Sequence, residues 1–219
     1  MLKVEGLCVS IKGFPILRGV GLEIPRGRLV GLVGRNGAGK TTTLKGILGL
    51  APVTSGRVAL DGADLVKVPA HKRAPLGFGY MPEDRRLIGA LTVEDNILIP
   101  AWATGRTDER QRLQYIYDIM PDVRPLSARR ASTLSGGQQK MAALARAVMT
   151  GTKVLLLDEA FEGLSPASGE KFAGTIQALQ REGLAILIAE SDDKRLAFVD
   201  TTYTIERGEI VAPTGGAPA

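Results

Sequence analysis

Eight consecutive residues, Gly34-Arg35-Asn36-Gly37-Ala38-Gly39-Lys40-Thr41, follow the spacing Gly-x-x-x-x-Gly-Lys-[Ser/Thr]. An apolar run precedes them and a helical pattern follows, which is the context that spacing requires. Glycines let successive backbone N–H groups turn inward as an anion nest. The N-terminus of a helix beginning at Lys40 adds unsatisfied donors and the positive end of its dipole. Lys40 then reaches the β- and γ-phosphates of a nucleoside triphosphate, and the Thr41 hydroxyl can ligate Mg²⁺. Gly34, Arg35, Asn36, Gly37, Ala38, Gly39, Lys40, Thr41 and Thr42 are therefore the expected nucleotide-binding positions.

A second constellation is Val154-Leu155-Leu156-Leu157-Asp158-Glu159, four apolar residues running into two carboxylates. It predicts a buried parallel strand that delivers both acids at its C-terminal end, where ligands bind in open α/β sheets. Asp158 would hold the metal through its water shell. Glu159 points differently and can polarise a water in line with the γ-phosphate. On its own such a pair could equally be solvated turn acids; beside a complete phosphate loop that account weakens.

The third is Leu134-Ser135-Gly136-Gly137-Gln138-Gln139-Lys140. Ser135 is a plausible helix cap, and the paired glycines expose backbone donors at a helix N-terminus, a second anion site. One triphosphate has no use for two separated helix ends in a single chain. The arrangement makes sense when Ser135, Gly136 and Gly137 grip the γ-phosphate bound to a partner subunit.

Elements able to position these groups follow from apolar periodicity. Leu2–Ser10 and Ile16–Ile24 read as antiparallel strands around a turn at Lys12–Pro15, and Arg28–Val33 as a strand leading into the phosphate loop and a helix from Lys40 to Leu50. Short strands are expected at Val58–Asp61 and Gly77–Met81, and arginine-rich helices from Pro82 to Leu134. A helix Gly136–Met149, strand Val154–Leu157, helix Ser165–Arg181, strand Ala185–Ala189, short helix Asp192–Phe198 and closing strands Thr201–Ile205 and Glu209–Val211 complete the chain. Alternating strands and helices predict an α/β fold, mostly a parallel sheet with an N-terminal antiparallel edge. The tail from residue 212, rich in Pro, Gly and Ala, has nothing to bury and is expected to be disordered.

The chain has 219 residues, 44% hydrophobic and 23% charged, which suits one domain with an ordinary core. One cysteine, Cys8, excludes an internal disulfide and, lying among apolar residues, is expected to be a buried small hydrophobe. No apolar run is long enough to span a membrane, and Met-Leu-Lys-Val-Glu lacks the apolar core of a signal peptide. A net charge of +5 allows an anionic partner, yet 5% aromatic content argues against nucleic acid, because stacking platforms need rings.

Together the three motifs resemble the ATP-binding subunits of ABC transporters, whose signature is Leu-Ser-Gly-Gly-Gln. The resemblance covers Val4 to about Val211 in the family's order: phosphate loop, helical insert, signature, strand acid pair. Within the family, Met81-Pro82-Glu83-Asp84-Arg85-Arg86, Leu91-Thr92-Val93-Glu94-Asp95-Asn96 and Glu162-Gly163-Leu164-Ser165-Pro166 are similar to the second ATPase of branched-chain amino acid importers and their amide and urea relatives. The resemblance implies a P-loop NTPase cassette over residues 1–211, with a helical subdomain at about 82–134 inserted in a RecA-like core. It implies ATP and Mg²⁺ as cofactors, with Thr41, Asp158 and Glu83 as metal residues, and Glu159, Lys40 and Ser191 as catalytic residues. Glu83 stands where the wider family has glutamine, a mark of this branch. Ser191 stands in the switch-histidine position; it can donate to a γ-phosphate but brings no charge, so the isolated subunit should hydrolyse modestly. His71, the only histidine, is expected at the surface. Ile11 aligns with the adenine-stacking aromatic, with Phe14 as substitute, and Ser165 replaces an aspartate that links the two sites.

The resemblance further implies a second ATPase subunit, identical or different, and transmembrane permease subunits held near Glu83–Leu98. Leu87, Ile88 and Leu91 would line that groove or belong to local core, and Arg124, Arg129 and Arg130 should be solvated. A periplasmic or extracellular solute-binding protein would act indirectly, and the chain would lie peripherally on the cytoplasmic face of the inner or plasma membrane. Two alternatives stand beside the importer reading. One is a soluble, non-transport ABC ATPase, which lacks support without a coiled-coil insertion or second cassette. The other is a regulatory cassette, disfavoured by the intact motif residues.

Overall fold

Residues 2–24 alternate between buried and exposed positions and pair as a hairpin, β1 (Leu2–Ile11) and β2 (Phe14–Ile24), turned at Lys12 and Gly13, both with positive φ. In the computed structural model, which describes residues 1–214, a bulge at Gly6 (φ 59°) shifts that alternation by one. Leu7 and Val9 consequently face the core, and Cys8 is only half-buried, not the core residue expected from its apolar neighbours.

β3 (Leu29–Val33) runs into the phosphate loop and α1 (Lys40–Ile47), which stops one turn short of the expected Leu50. β4 (Val53–Leu60) and the two-residue β5 (Ala63–Asp64) then extend the hairpin into an antiparallel sheet of order β2-β1-β4-β5. The next short helix, α2 (Ala70–Arg73), delivers the buried Arg73 guanidinium to the carbonyls of Gly46 and Ile47 at the end of α1, and to those of Leu65 and Val68. Removing that donor set leaves several buried acceptors unsatisfied. Arg73→Met should therefore lower the unfolding free energy by about 2–4 kcal/mol, read as a lower urea midpoint at unchanged slope.

β6 (Phe78–Met81) leads into a helical stretch of α3 (Val93–Thr104), α4 (Glu109–Ile119) and two 3₁₀ turns, Arg124–Leu126 and Ala131–Thr133. Thr92 and Asp95 form a capping box that starts α3. The chain continues through α5 (Gly136–Thr150), β7 (Val154–Asp158), α6 (Pro166–Arg181), β8 (Ala185–Glu190), β9 (Thr201–Glu206) and β10 (Glu209–Thr214). The segment expected as a helix after β8 is a single 3₁₀ turn, Asp193–Leu196.

The larger sheet has the order β10-β9-β3-β8-β7-β6, parallel throughout except for β10 at its edge. Its strands read as unbroken apolar runs because both faces are covered. Leu155, Leu157, Ile186 and Ile188 pack on α3–α6, whereas Val154, Leu156, Ala185 and Leu187 pack on α1 and the antiparallel sheet. The chain thus has an α/β fold, a mostly parallel sheet with an antiparallel N-terminal sheet beside it. β10 pairs with β9 as far as Thr214, so residues 212–214, expected as the start of a disordered tail, are strand instead. The remainder of that tail, residues 215–219, lies outside the described residues.

Candidate active site

The phosphate loop is held in shape from behind. Gly34 is buried so closely that a Cβ there would sit 2.4 Å from the Ile205 carbonyl oxygen, and the Gly208 N–H donates to the Ala38 carbonyl at 2.9 Å. Gly39 caps α1 with a φ of 115°, a left-handed conformation that favours glycine. Lys40 is buried, and its ammonium donates to the carbonyls of Gly34 at 2.6 Å and Arg35 at 3.4 Å. Asn36, Gly37, Lys40, Thr41 and Thr42 line one cleft of about 410 Å³ together with Glu83, Glu159 and Ser191. Gly34 and Ala38 lie buried beneath it, and the Arg35 side chain is exposed.

β7 ends at Asp158, buried beside the start of α1. One carboxylate oxygen accepts from the Thr41 hydroxyl at 3.1 Å and the other from the Tyr80 hydroxyl at 3.2 Å. Burial pushes the Asp158 carboxyl above its ordinary range and holds the Tyr80 phenol protonated. Asp158 and Thr41 present hard oxygen donors side by side and, with the exposed Glu83, line a second cavity that shares Thr41 and Glu83 with the first. Among the described residues no group of three or more His, Cys, Asp or Glu could hold a metal alone. The donor set fits Mg²⁺, which takes one or two carboxylates and completes its shell with substrate phosphates and water.

Glu159 follows in a left-handed conformation, φ 44°, unusual for a non-glycine residue. This turns its carboxylate away from that of Asp158 and into the cleft. One oxygen lies 3.1 Å from the Lys40 ammonium, and the other accepts from the backbone N–H and the hydroxyl of Ser191, both at 3.3 Å. Ser191 therefore meets the acid directly.

Three further groups were not anticipated from the motifs. Tyr80 reaches Asp158 from the neighbouring strand. Lys140, buried on α5, donates from its ammonium to the Glu159 carbonyl at 2.6 Å. Glu190, fully buried at the end of β8, accepts from the Phe161 N–H at 2.8 Å and lies 3.5 Å from Arg195. Burial, reinforced by the charge of Glu159, pushes the Glu190 carboxyl up to about 7. A charged residue inside an apolar strand, as in Ile188-Ala189-Glu190, was the available signal.

Ser135 caps α5 in a capping box with Gln138, and Ser135 and Gly137 line a separate cavity beside Leu164 and Ser168. Gly136 has open space where a side chain would project. The structure thus brings Lys40, Thr41, Asp158, Glu159, Glu83 and Ser191 together and sets Ser135, Gly136 and Gly137 apart from them. The loop carrying Glu83 lines the first cleft and is tied to α5. Its Arg85 and Arg86 both have positive φ, Arg85 donates to the Gln139 side chain at 2.7 Å, and Arg146 of α5 donates to both arginine carbonyls.

Ile11 and Phe14 pair across the hairpin tip, 42% and 72% exposed, and neither lines the cleft; Ile16 does. Two residues at the tip of a two-residue hairpin turn project beyond the sheet, whereas Ile16 sits back where β2 meets the loop. Ser165 caps α6, His71 is exposed, Leu87 packs on the core and Ile88 remains 48% exposed. Arg124, Arg129 and Arg130 are exposed.

A family model described as ABC transporter matches residues 17–162. The chain is 34% identical to the high-affinity branched-chain amino acid transport ATP-binding protein BraG of Pseudomonas aeruginosa, over 99% of this chain and 94% of that one. It is 36% identical to the probable branched-chain amino acid transport ATP-binding protein LivF of Archaeoglobus fulgidus, over 96% and 90%. It is also 31% identical to the lipopolysaccharide export system ATP-binding protein LptB of Escherichia coli, over 96% and 89%. Among solved structures, the ADP conformation of an ATP-binding cassette of an ABC transporter superposes with a TM-score of 0.88 at 25% identity, covering 99% of this chain and 91% of the other. A dimeric bacterial ABC transporter cassette superposes at 0.86 and 24%, covering 98% of each chain.

Proposed function

Because this chain belongs to the ABC transporter family, as an ATP-hydrolysing cassette, we propose that it powers an importer of branched-chain or related amino acids. The observation that carries the substrate class is near end-to-end identity of 34% and 36% to BraG and LivF. The likeness to LptB supports a second reading, export of a lipid-linked substrate. Among the described residues no helix is long and apolar enough to cross a membrane. The membrane path would therefore belong to permease subunits, with this chain bound peripherally at the cytoplasmic face and a solute-binding protein acting from the other side.

In the proposed mechanism two cassettes pair head to tail. A triphosphate entering the loop competes with the single carboxylate of Glu159 for the Lys40 ammonium and wins on charge. Backbone N–H groups of residues 34–42 hold the β- and γ-phosphates. Ser135 and Gly137 of the partner cover the γ-phosphate from the opposite side. Freed from Lys40, the Glu159 carboxylate accepts a proton from a water as that water attacks the γ-phosphorus, and the bond to the β-phosphate oxygen breaks to leave ADP. Ser191 holds the Glu159 carboxylate through two donors. Thr41 and Asp158, with Glu83 at the edge, would hold Mg²⁺, which spreads the developing negative charge when bound.

Uptake measurements test the substrate class. In cells lacking this chain, radiolabelled leucine, isoleucine and valine uptake should fall and return with the wild-type chain but not with Glu159→Gln. Unchanged amino acid uptake, with a defect in surface lipid export instead, would overturn the importer reading in favour of the second.

A further inference from the structure

We propose that Lys140 is a positioning residue for Glu159, holding the turn that carries the base and tying it to the half-site that the same helix offers the partner cassette. The inference deepens the reading given above and rests on it: Glu159 as base, Ser135 and Gly137 as the grip on the partner's nucleotide.

Lys140 stands on α5, whose first turn is capped by Ser135. Its side chain is 3% exposed, and its ammonium donates to the Glu159 carbonyl at 2.6 Å. That carbonyl belongs to a residue in a left-handed backbone conformation, φ 44°, which persists only where its surroundings over-determine it. Two residues on, the Phe161 N–H donates to the buried Glu190 carboxylate at 2.8 Å. The turn from residue 159 to residue 161 is therefore held from two sides: by a cation from α5 at its first carbonyl, and by an acid from β8 at its last N–H. Burying a charged group costs free energy unless it is hydrogen-bonded or paired. Here the Lys140 ammonium and one Glu190 oxygen are both engaged with the backbone of the turn that aims the base.

The geometry also gives α5 two roles on one rigid body. Its N-terminus carries the half-site proposed for the partner's nucleotide, and its next turn holds the carbonyl of Glu159 in its own site. A displacement of α5 as two cassettes close is carried to the Glu159 carbonyl through a single short hydrogen bond. Lys140 touches no reacting atom; it acts through the backbone of Glu159.

The test uses the purified full chain with three substitutions: Lys140→Met, Lys140→Gln and, as reference, Glu159→Gln. Lys140→Met removes the donor at similar volume and should slow ATP turnover about 10- to 100-fold, the scale of a small misplacement of a reacting group. ATP affinity should stay within about twofold, and the ATP-bound dimer should accumulate as it does for Glu159→Gln. Lys140→Gln keeps a donor without the charge and should restore turnover to at least about half of wild type. Wild-type turnover in Lys140→Met would overturn the proposal. So would loss of turnover together with ATP binding and dimer, which marks a merely structural role, or a Gln variant as slow as the Met variant. Where Lys140→Met is recovered unfolded, Lys140→Ala carries the same expectations. If Glu159→Gln itself turns over normally, it is the reading of Glu159 as base that fails, whatever the Lys140 variants do.

Discussion

Replacing Glu159 by Gln is expected to cut steady-state ATP hydrolysis by at least about 100-fold while leaving ATP binding intact, the usual scale for losing a general base. The substitution is nearly isosteric, so the two donors of Ser191 at 3.3 Å keep an oxygen to bond. What disappears is the charge that accepts the proton of the attacking water, together with the carboxylate 3.1 Å from Lys40. Loss of that competitor leaves the Lys40 ammonium freer for phosphate, so ATP affinity should hold or rise. Bound ATP that is not hydrolysed should keep two cassettes together, seen as an ATP-dependent doubling of mass by light scattering. A non-hydrolysing regulatory cassette would show no change in either measurement. Retained turnover in Glu159→Gln would move the base elsewhere, and Glu190, a buried acid bonded to the same turn, would be the next to test.

The groups written as contiguous strings were legible in the sequence. The phosphate loop, the acids ending an apolar strand and the serine before paired glycines each carry local backbone demands: nest geometry, a strand C-terminus, a helix cap. Those demands reappear as the left-handed Gly39, the buried Asp158 and the Ser135 capping box. What stayed hidden depends on which elements lie side by side. Tyr80 reaches Asp158 because β6 pairs with β7 in register, and Lys140 reaches the Glu159 carbonyl because the second turn of α5 lies beside the residue that follows β7. Neither pairing is written in the spacing of any one segment.

Strand register decides two further placements. Cys8 left the core because one glycine bulge reversed the strand's facing, a shift of one residue that moves every later side chain to the other face. Ile11 and Phe14 sit exposed at the hairpin tip because a two-residue turn puts them there, while Ile16, two positions into the strand, lines the phosphate-loop cleft. Local pattern specifies which residues alternate; only the register of the folded sheet specifies where the alternation points.

Separation of Ser135 from Lys40 into different cavities leads to the second large effect. Lys40→Ala removes a buried cation aimed at the phosphates and should weaken ATP binding by about 2–5 kcal/mol, roughly 30-fold or more, abolishing turnover at millimolar ATP. Ser135→Arg should cost only about 1 kcal/mol of fold stability through the lost cap, yet place bulk and charge where a partner's γ-phosphate must sit, and so be equally inactive. Mixed in equal amounts, the two dead chains should regain about one quarter of wild-type turnover, because half of the dimers are mixed and each of these assembles one intact site of two. That recovery has no route in a chain that hydrolyses ATP alone, since neither polypeptide carries a complete set of groups. Zero recovery from folded, mixing chains, while the wild type turns over as a monomer, would mean that the helix opened by Ser135 serves something other than a nucleotide held across the interface.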